Sequence, residues 1–379
     1  MKCLISQGNK GHMKKSHSTL LMSDGRIVDT PESTSRLNVE RLFLPCGFPK
    51  SVASYYPRYA ALTFLQVSLN NVNRILATQA MLLSVGAGSA GLPIAAAINW
   101  VLKDGIGQLG SILVSSLINR NFDSDPKRYR FQAVLLGQLS NLLSLLSLPY
   151  PAAFLALTSI SSTLSRIGTV AHLSSRVRIY DDMAIERNVG DIMRCSQAQS
   201  TAASLFGTAV GVALAPSVLT SPSSVMVVFA PLAIATQYLA YQSSSLVVLS
   251  TFNLQRAQLV FDKIQSSNHF MTPAQVSEIE TFVFPYHSLI RVNPPLHAAL
   301  ATHIDDLRNR KFAIIKDTHV TIWLASDATA EDAVHAVYAA INTGHDRWQE
   351  VRDQLSLLGW RFDVSFIDEE KGRLEVLKN

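Results

Sequence analysis

CSQAQSTAASLFGTAVGVALAPSVLTSPSSVMVVFAPLAIATQYLAYQSSSLVVLSTFNLQ, residues 195–255, runs for 61 positions without one Asp, Glu, Lys or Arg. A helix bathed in water on one face needs polar and charged side chains there, and an ordinary globular chain is about one-quarter charged. Two further uncharged stretches lie upstream, 35 residues from Phe131 to Ser165 and 28 from Ile75 to Leu102. Across all 379 residues only 16% are charged and 48% are hydrophobic. Uncharged apolar runs of this length read as membrane spans, each of which needs about 20 residues.

Working outward, six apolar segments are predicted, near 60–84, 92–118, 130–149, 151–175, 198–219 and 223–250. VGAGSAGLP, RNFDSDPKRYR, PYP, RVRIYDDMAIERNVGDIMR and APSVLTSPSS separate them, each rich in turn formers or charge. The charges alternate. Arg41, Lys50 and Arg58 precede the first segment; Arg120, Lys127, Arg128 and Arg130 follow the second; Arg176, Arg178, Arg187 and Arg194 follow the fourth; Arg256 and Lys263 follow the sixth. The other three connections carry none. The positive-inside rule then places both termini on the cytoplasm-equivalent side.

Beyond residue 255 the composition becomes that of a soluble domain. FAIIKD and HVTIWLAS predict two strands, and TAEDAVHAVYAAI an amphipathic helix capped by Thr329 or Asp327. DRWQEVRDQLSLLGW predicts a second helix, with RFDVSFI and RLEVLK as strands after it. The expected organisation is a disordered or targeting tail at 1–40, a helical membrane domain at 41–256, a linker at 257–284 and an α+β domain at 285–379. MKCLISQGNKGHMKKSHSTLLMSDGR, at the N-terminus, lacks the apolar core of a secretory signal. Cys3, Cys46 and Cys195 are far apart, with neither a CxxC nor adjacent histidines, which argues against a disulfide framework and a zinc site.

Several stretches occur in the order and approximate spacing of one family: LPCGFPKSV (44–52), ATQA (77–80), WVLKDGIGQLGSIL (100–113), DSDPKRYR (123–130), NVGD (188–191) and TFNLQR (251–256), with GW at 359–360. In these the chain resembles the ROOT UV-B SENSITIVE (RUS) family over about 42–256. The resemblance implies a role in UV-B responses and vitamin B6 homeostasis, a membrane domain, and pairing with a paralogue. It implies no catalytic residues. The chain departs from the family pattern at Gln138 and Ser144, where relatives tend to carry carboxylates, and at Cys195, where a lysine is frequent.

WVLKDGIGQLG holds Gly105, Gly107 and Gly110 in the spacing G-x-G-x-x-G. A dinucleotide loop needs a strand before these glycines, and the preceding AAAINWVL is helix-like. The glycines therefore read as helix-packing surface. Arg74, Lys103, Asp104 and Arg166 fall at membrane depth, where each charge costs about 2.5–3.5 kcal/mol on insertion scales. With Thr78 and Gln79 they form either a closed structural cluster or a polar cavity of three cations and one anion suited to an anionic solute. Asp123, Asp125, Lys127 and Arg130 form either a capped loop or a gating latch of the kind found in major facilitator transporters, of which six spans are half. Arg176 lies in the second basic loop, and Asn188 and Asp191 either cap the fifth helix or hold a ligand headgroup.

The histidines are scattered, with no HExxH and no G-x-S-x-G, so no enzyme, cofactor or metal is expected. No basic stripe with interleaved aromatics points to nucleic acid. The sequence thus predicts a mainly α polytopic membrane bundle with a small C-terminal α+β domain. It is expected in an organellar or endomembrane bilayer, alone or with a second copy or paralogue. Two roles fit: transport or sensing of a small anionic metabolite, or a membrane-anchored regulatory protein that transports nothing.

Overall fold

Six long helices follow one another in the computed structural model, which describes residues 42–88, 93–117, 122–294, 304–317, 319–342, 344, 346–368 and 373–374, with strands at 4–5, 18–21 and 27–30. They are α1 (Tyr56–Gly88), α2 (Pro93–Leu117), α3 (Pro126–Leu146), α4 (Phe154–Met183), α5 (Val189–Val218) and α6 (Pro222–Ser245). Each coincides with one of the six apolar segments. Proline, whose missing N–H costs nothing in the first turn, opens α3 and α6. The Ser221 hydroxyl caps α6 by accepting from the Ser224 N–H at 3.2 Å. Helix α1 is the hub, packed along α5, α6 and α3, while α4 lies on α3 and α2 lies chiefly on α4.

The expectation of six spans is narrowed by the helices themselves. Among the described residues, only α5 and α6 are both long and apolar enough to cross a membrane. Helices α1, α3 and α4 have the length but carry polar side chains where they meet. Asn73 donates to Gln138 at 3.0 Å, Gln138 donates to Asn70 at 2.7 Å, and the Ser144 and Ser161 hydroxyls lie 2.7 Å apart. Such pairs lower a helix's mean hydropathy while keeping its polar groups inside the bundle. The outer surface is apolar: Val101 and Leu109 on α2, Leu205 on α5, and Val227 and Ile234 on α6 are each between 64% and 73% exposed.

After α6 the chain forms β4 (Thr251–Asn253), α7 (Leu254–Ser267), α8 (Pro273–Ile279), β5 (Ile290–Val292), α9 (Ile304–Arg310), β6 (Phe312–Lys316), β7 (Val320–Leu324), α10 (Ala330–Ile341), α11 (Trp348–Leu357) and β8 (Arg361–Phe366). One sheet has the order β5-β7-β6, with β7 parallel to β5 and antiparallel to β6. A second pairs β4 with β8 in parallel across an irregular register at Thr251 and Phe252. Thr329 caps α10 in a capping box with Asp332.

The expected linker at 257–284 is corrected here. Ala257, Val260, Phe261, Ile264, Met271 and Val276 are buried in one core with Phe252, Tyr338, Leu355 and Trp360. Helix α7 is amphipathic, and its apolar stripe has nowhere to go but the α+β domain. That domain therefore begins at β4. Its chain joins the far end of the domain through the Phe252 and Trp360 rings, stacked at 4.3 Å. At the other terminus β1 (Leu4–Ile5), β2 (Ser18–Leu21) and β3 (Ile27–Thr30) form an antiparallel meander. The rest of 1–41, including Cys3 and Arg41, lies outside the described residues, as do Arg120, the connection at 89–92 and most of the RLEVLK strand.

Candidate functional site

Lys103, Gly107 and Gly110 lie at i, i+4 and i+7 and so share one face of α2. That face is turned toward α4. A Cβ on Gly107 would lie 2.6 Å from the Ser162 Cβ, and one on Gly110 would lie 2.7 Å from the Thr163 Oγ1. The two glycines let α2 press onto α4, one and two turns beyond Lys103. Gly105 points elsewhere and meets nothing within 4 Å.

This close approach leaves Lys103 6% exposed at the base of an open groove of about 240 Å³ between α1, α2, α3 and α4, in which Arg74 is exposed and Arg166 half-buried. Arg74, Thr78, Lys103, Asp104 and Arg166 all line it, together with Ser140, Ser144, Ser161, Ser162 and Ser165. Gln79, expected with them, is not part of the lining. Lys103 Nζ binds Asp104 Oδ1 at 2.6 Å and lies 4.7 Å from the centre of the Trp100 ring. Among the described residues Arg74 and Arg166 have no carboxylate within ion-pair distance. Three cations against one carboxylate leave the groove with two unmatched positive charges, surrounded by hydroxyls that both donate and accept.

The second group of expected residues assembles elsewhere, at the junction between the bundle and the α+β domain. Lys127 and Arg130 are not loop charges: their exposures are 2% and 1%. Lys127 forms an ion pair with Glu280 and donates to the Ser277 hydroxyl at 2.7 Å. Arg256 reaches Glu280 at 3.4 Å and donates to the carbonyls of Thr251 at 2.6 Å and Ser124 at 2.7 Å. Asn253 donates to Asp125 at 2.6 Å, and Arg128 pairs with Asp125 at 3.2 Å. Helix α4 adds Arg178, which binds Asp182 at 3.1 Å and the Thr251 hydroxyl at 3.0 Å. DSDPKR and TFNLQR, 128 residues apart between Asp125 and Asn253, are therefore two halves of one buried lock. Asp123 stays exposed outside it.

Asn188 sits at the N-cap of α5, but its side chain makes no cap bond, and both its amide atoms are buried without a partner. Asp191 binds Arg194 at 2.8 Å and accepts the Cys46 backbone N–H, tying LPCGFPKSV to α5. Arg176 faces inward toward Tyr180. Glu280, Ser277 and Asp182 were not legible as site residues. Glu280 and Ser277 lie in the stretch read as linker, and only their contacts give them a role.

Burial pushes the Asp125 carboxyl above its ordinary 3.8, against the pull of Arg128 and Arg256. The folded protein then holds this proton more tightly than the unfolded chain, so stability falls as pH rises from about 4 through the raised folded value. Asp125→Asn is expected to flatten that part of the curve, read as Tm against pH upward from about 4 in the purified protein. An unaltered slope would remove Asp125 from the lock's titration.

Fold and site together define a helical bundle with a charge-lined open groove, locked at its basic end to a small α+β domain. Residues 30–268 match the family described as "Vitamin B6 photo-protection and homoeostasis domain". The chain belongs to this family, the ROOT UV-B SENSITIVE (RUS) proteins, which is linked to vitamin B6 photo-protection and homoeostasis. It is 29% identical over 339 residues to "Protein root UVB sensitive 2, chloroplastic" of Arabidopsis thaliana, covering 84% of this chain and 77% of the relative. It is 27% identical over 301 residues to "Protein root UVB sensitive 3" of the same plant, with coverages of 77% and 68%. With "RUS family member 1" of Dictyostelium discoideum the figures are 27% over 262 residues, 67% and 50%. No solved structure matches the chain.

Proposed function

We propose that this protein is an integral membrane protein that binds, and transports or senses, a small anionic metabolite in vitamin B6 homeostasis. The observation that carries the reading is the pair of guanidiniums, Arg74 and Arg166, without carboxylates in a groove lined by hydroxyls. Charges in a bundle this poor in charge are expensive and commonly mark a solute pathway. An anion about 4 Å from one guanidinium gains about 4 kcal/mol at an effective dielectric of 20. The family link narrows the solute to a phosphate-bearing B6 vitamer, whose phosphate takes both arginines and whose hydroxyl and aldehyde oxygens meet the serines. Bilayer residence is supported by the uncharged run at 195–255, carried mainly on α5 and α6, and by the apolar outer surface. The basic connections and the α+β domain meet at one end, as the positive-inside rule asks of a cytoplasm-equivalent side. The chloroplastic relative supports an organellar bilayer.

Purified protein should be stabilised by pyridoxal 5′-phosphate and much less by pyridoxal. Arg74→Gln and Arg166→Gln should each weaken that binding tenfold or more, about 1.4 kcal/mol, with little change in the unliganded Tm. Equal stabilisation of both variants and the parent would sink the reading. Uptake of the vitamer into proteoliposomes separates a transporter from a sensor.

A further inference from the structure

Four charged side chains line the groove, and they differ in what chemistry they allow. Arg74 and Arg166 are guanidiniums, which keep their protons in proteins and so can only hold an anion. Lys103 is the one group among them whose neutral form is a nitrogen nucleophile. It is also the most deeply set, 6% exposed where Arg74 is exposed and Arg166 and Asp104 are half-buried. A proton acceptor is already in place, Asp104 Oδ1 at 2.6 Å from its Nζ, and the Trp100 ring covers another side.

Contacts between the helices fix where this amine stands relative to the guanidiniums. Gly107 meets Ser162 and Gly110 meets Thr163, so α2 and α4 advance in the same sense. Lys103 lies one turn before that contact on α2, and Arg166 one turn after it on α4. Two turns of rise put their backbones about 12 Å apart along the bundle. Helix α4 runs antiparallel to α3, with Ser161 against Ser140 and Ser144 and Gly168 against Ala133. Arg166 therefore stands near the level of Gln138, which bonds Asn70 and Asn73, and so near Arg74 on α1. The arginines share one end of the groove and the lysine occupies the other. At about 240 Å³ the groove is smaller than the roughly 300–1,000 Å³ of sites for drug-sized ligands, which suits a single ring.

We propose that Lys103 captures aldehyde vitamers covalently, as a reversible imine, while Arg74 and Arg166 hold the phosphate. The inference rests on the solute reading above and adds the group that tells an aldehyde from the corresponding alcohol or amine. Asp104 takes a proton from the ammonium, and the freed Nζ lone pair attacks the aldehyde carbon. The C–N bond forms, the carbonyl π electrons go to oxygen, and a proton passes from nitrogen to that oxygen. Asp104 then returns its proton to the new hydroxyl, which leaves as water. A protonated imine remains beside the Asp104 carboxylate, so charge is conserved and no oxidant or reductant is consumed. Ser162 and Ser165, in the same lining, supply hydroxyl donors to the aldehyde oxygen. The same steps run backwards with water release the vitamer.

The test uses the full chain purified in detergent, incubated with pyridoxal 5′-phosphate, reduced with borohydride and digested for mass spectrometry. Lys103 should carry the phosphopyridoxyl tag at a vitamer concentration at least tenfold below that needed by the exposed Lys50 and Lys263. Excess inorganic phosphate should protect Lys103 and leave the other two unprotected. Lys103→Arg should lose the visible absorbance of the imine, and Asp104→Asn should slow its appearance tenfold or more. Pyridoxamine 5′-phosphate, with an amine in place of the aldehyde, should stabilise the parent without leaving a tag. Stabilisation by that amine with Lys103 untagged would overturn the capture and leave the groove reading standing. Stabilisation by neither vitamer would overturn both. Equal tagging of Lys50, Lys103 and Lys263, or unaltered absorbance in Lys103→Arg, would also overturn the proposal.

Discussion

Replacing Glu280 by alanine is expected to destabilise the protein by about 3–5 kcal/mol, the cost of breaking a buried ion pair from one side. Its carboxylate, 6% exposed, serves Lys127 and Arg256, which are 2% and 3% exposed. Arg256 would keep the carbonyls of Ser124 and Thr251. Lys127 would keep only the Ser277 hydroxyl among its partners, and a buried ammonium with one neutral acceptor is poorly solvated. Burial already pushes the Lys127 ammonium below its ordinary value, and Glu280 is the group that opposes this. The double change Lys127→Met with Glu280→Gln should recover at least half of the loss, because the stranded Lys127 ammonium disappears with the carboxylate while Arg256 keeps its two carbonyl acceptors. Chemical denaturation of the two variants checks this. A Glu280→Ala variant within about 1 kcal/mol of the parent would show that the junction does not depend on this lock.

Gly207→Ala should be the most damaging of the glycine substitutions, at about 3 kcal/mol, the upper end of the overpacking range. A Cβ there would lie 2.2 Å from the Ser68 carbonyl oxygen and 2.9 Å from the Asn71 Cβ. The obstacle is backbone, which has no rotamer to yield, so α5 must move off α1. Gly211, one turn on, meets Ile75 at 2.9 Å in the same seam. The bond from Ser204 to Asn71, 3.1 Å long, would be strained by the same displacement. Gly105→Ala is the matched control, with nothing within 4 Å and a gain of up to about 1 kcal/mol from helix propensity. Thermal unfolding of both variants gives the comparison. Similar Tm values for the two would refute the close α1–α5 contact.

These glycines mark how far pattern reading reached. GxGxxG at 105–110 drew attention because its spacing mimics a nucleotide loop, whereas GTAVG at 207–211 passed unremarked inside a run of small residues. Which glycine faces a partner depends on the azimuth of its helix, and a string of letters in an all-apolar segment leaves that azimuth open. The same limit applies to Arg130. As text it is one more positive charge in a loop, and only its 1% exposure moves it into the bundle.

What the sequence determined by itself was the inventory of helices and the identity of the charges worth explaining. Long uncharged runs have few ways to fold, so six helices and their breaks follow from hydropathy, proline and glycine alone. Arg74, Lys103, Asp104 and Arg166 stood out because each falls inside or at the edge of an otherwise apolar segment. Tertiary structure decided what those charges face. It gathered them into one groove, left Gln79 out, and drew residues from beyond the bundle, Glu280 above all, into a lock that no local pattern encodes. The reason is that helix formation is set by neighbours within a few residues, whereas partners such as Asp125 and Asn253 are brought together by packing across 128 positions.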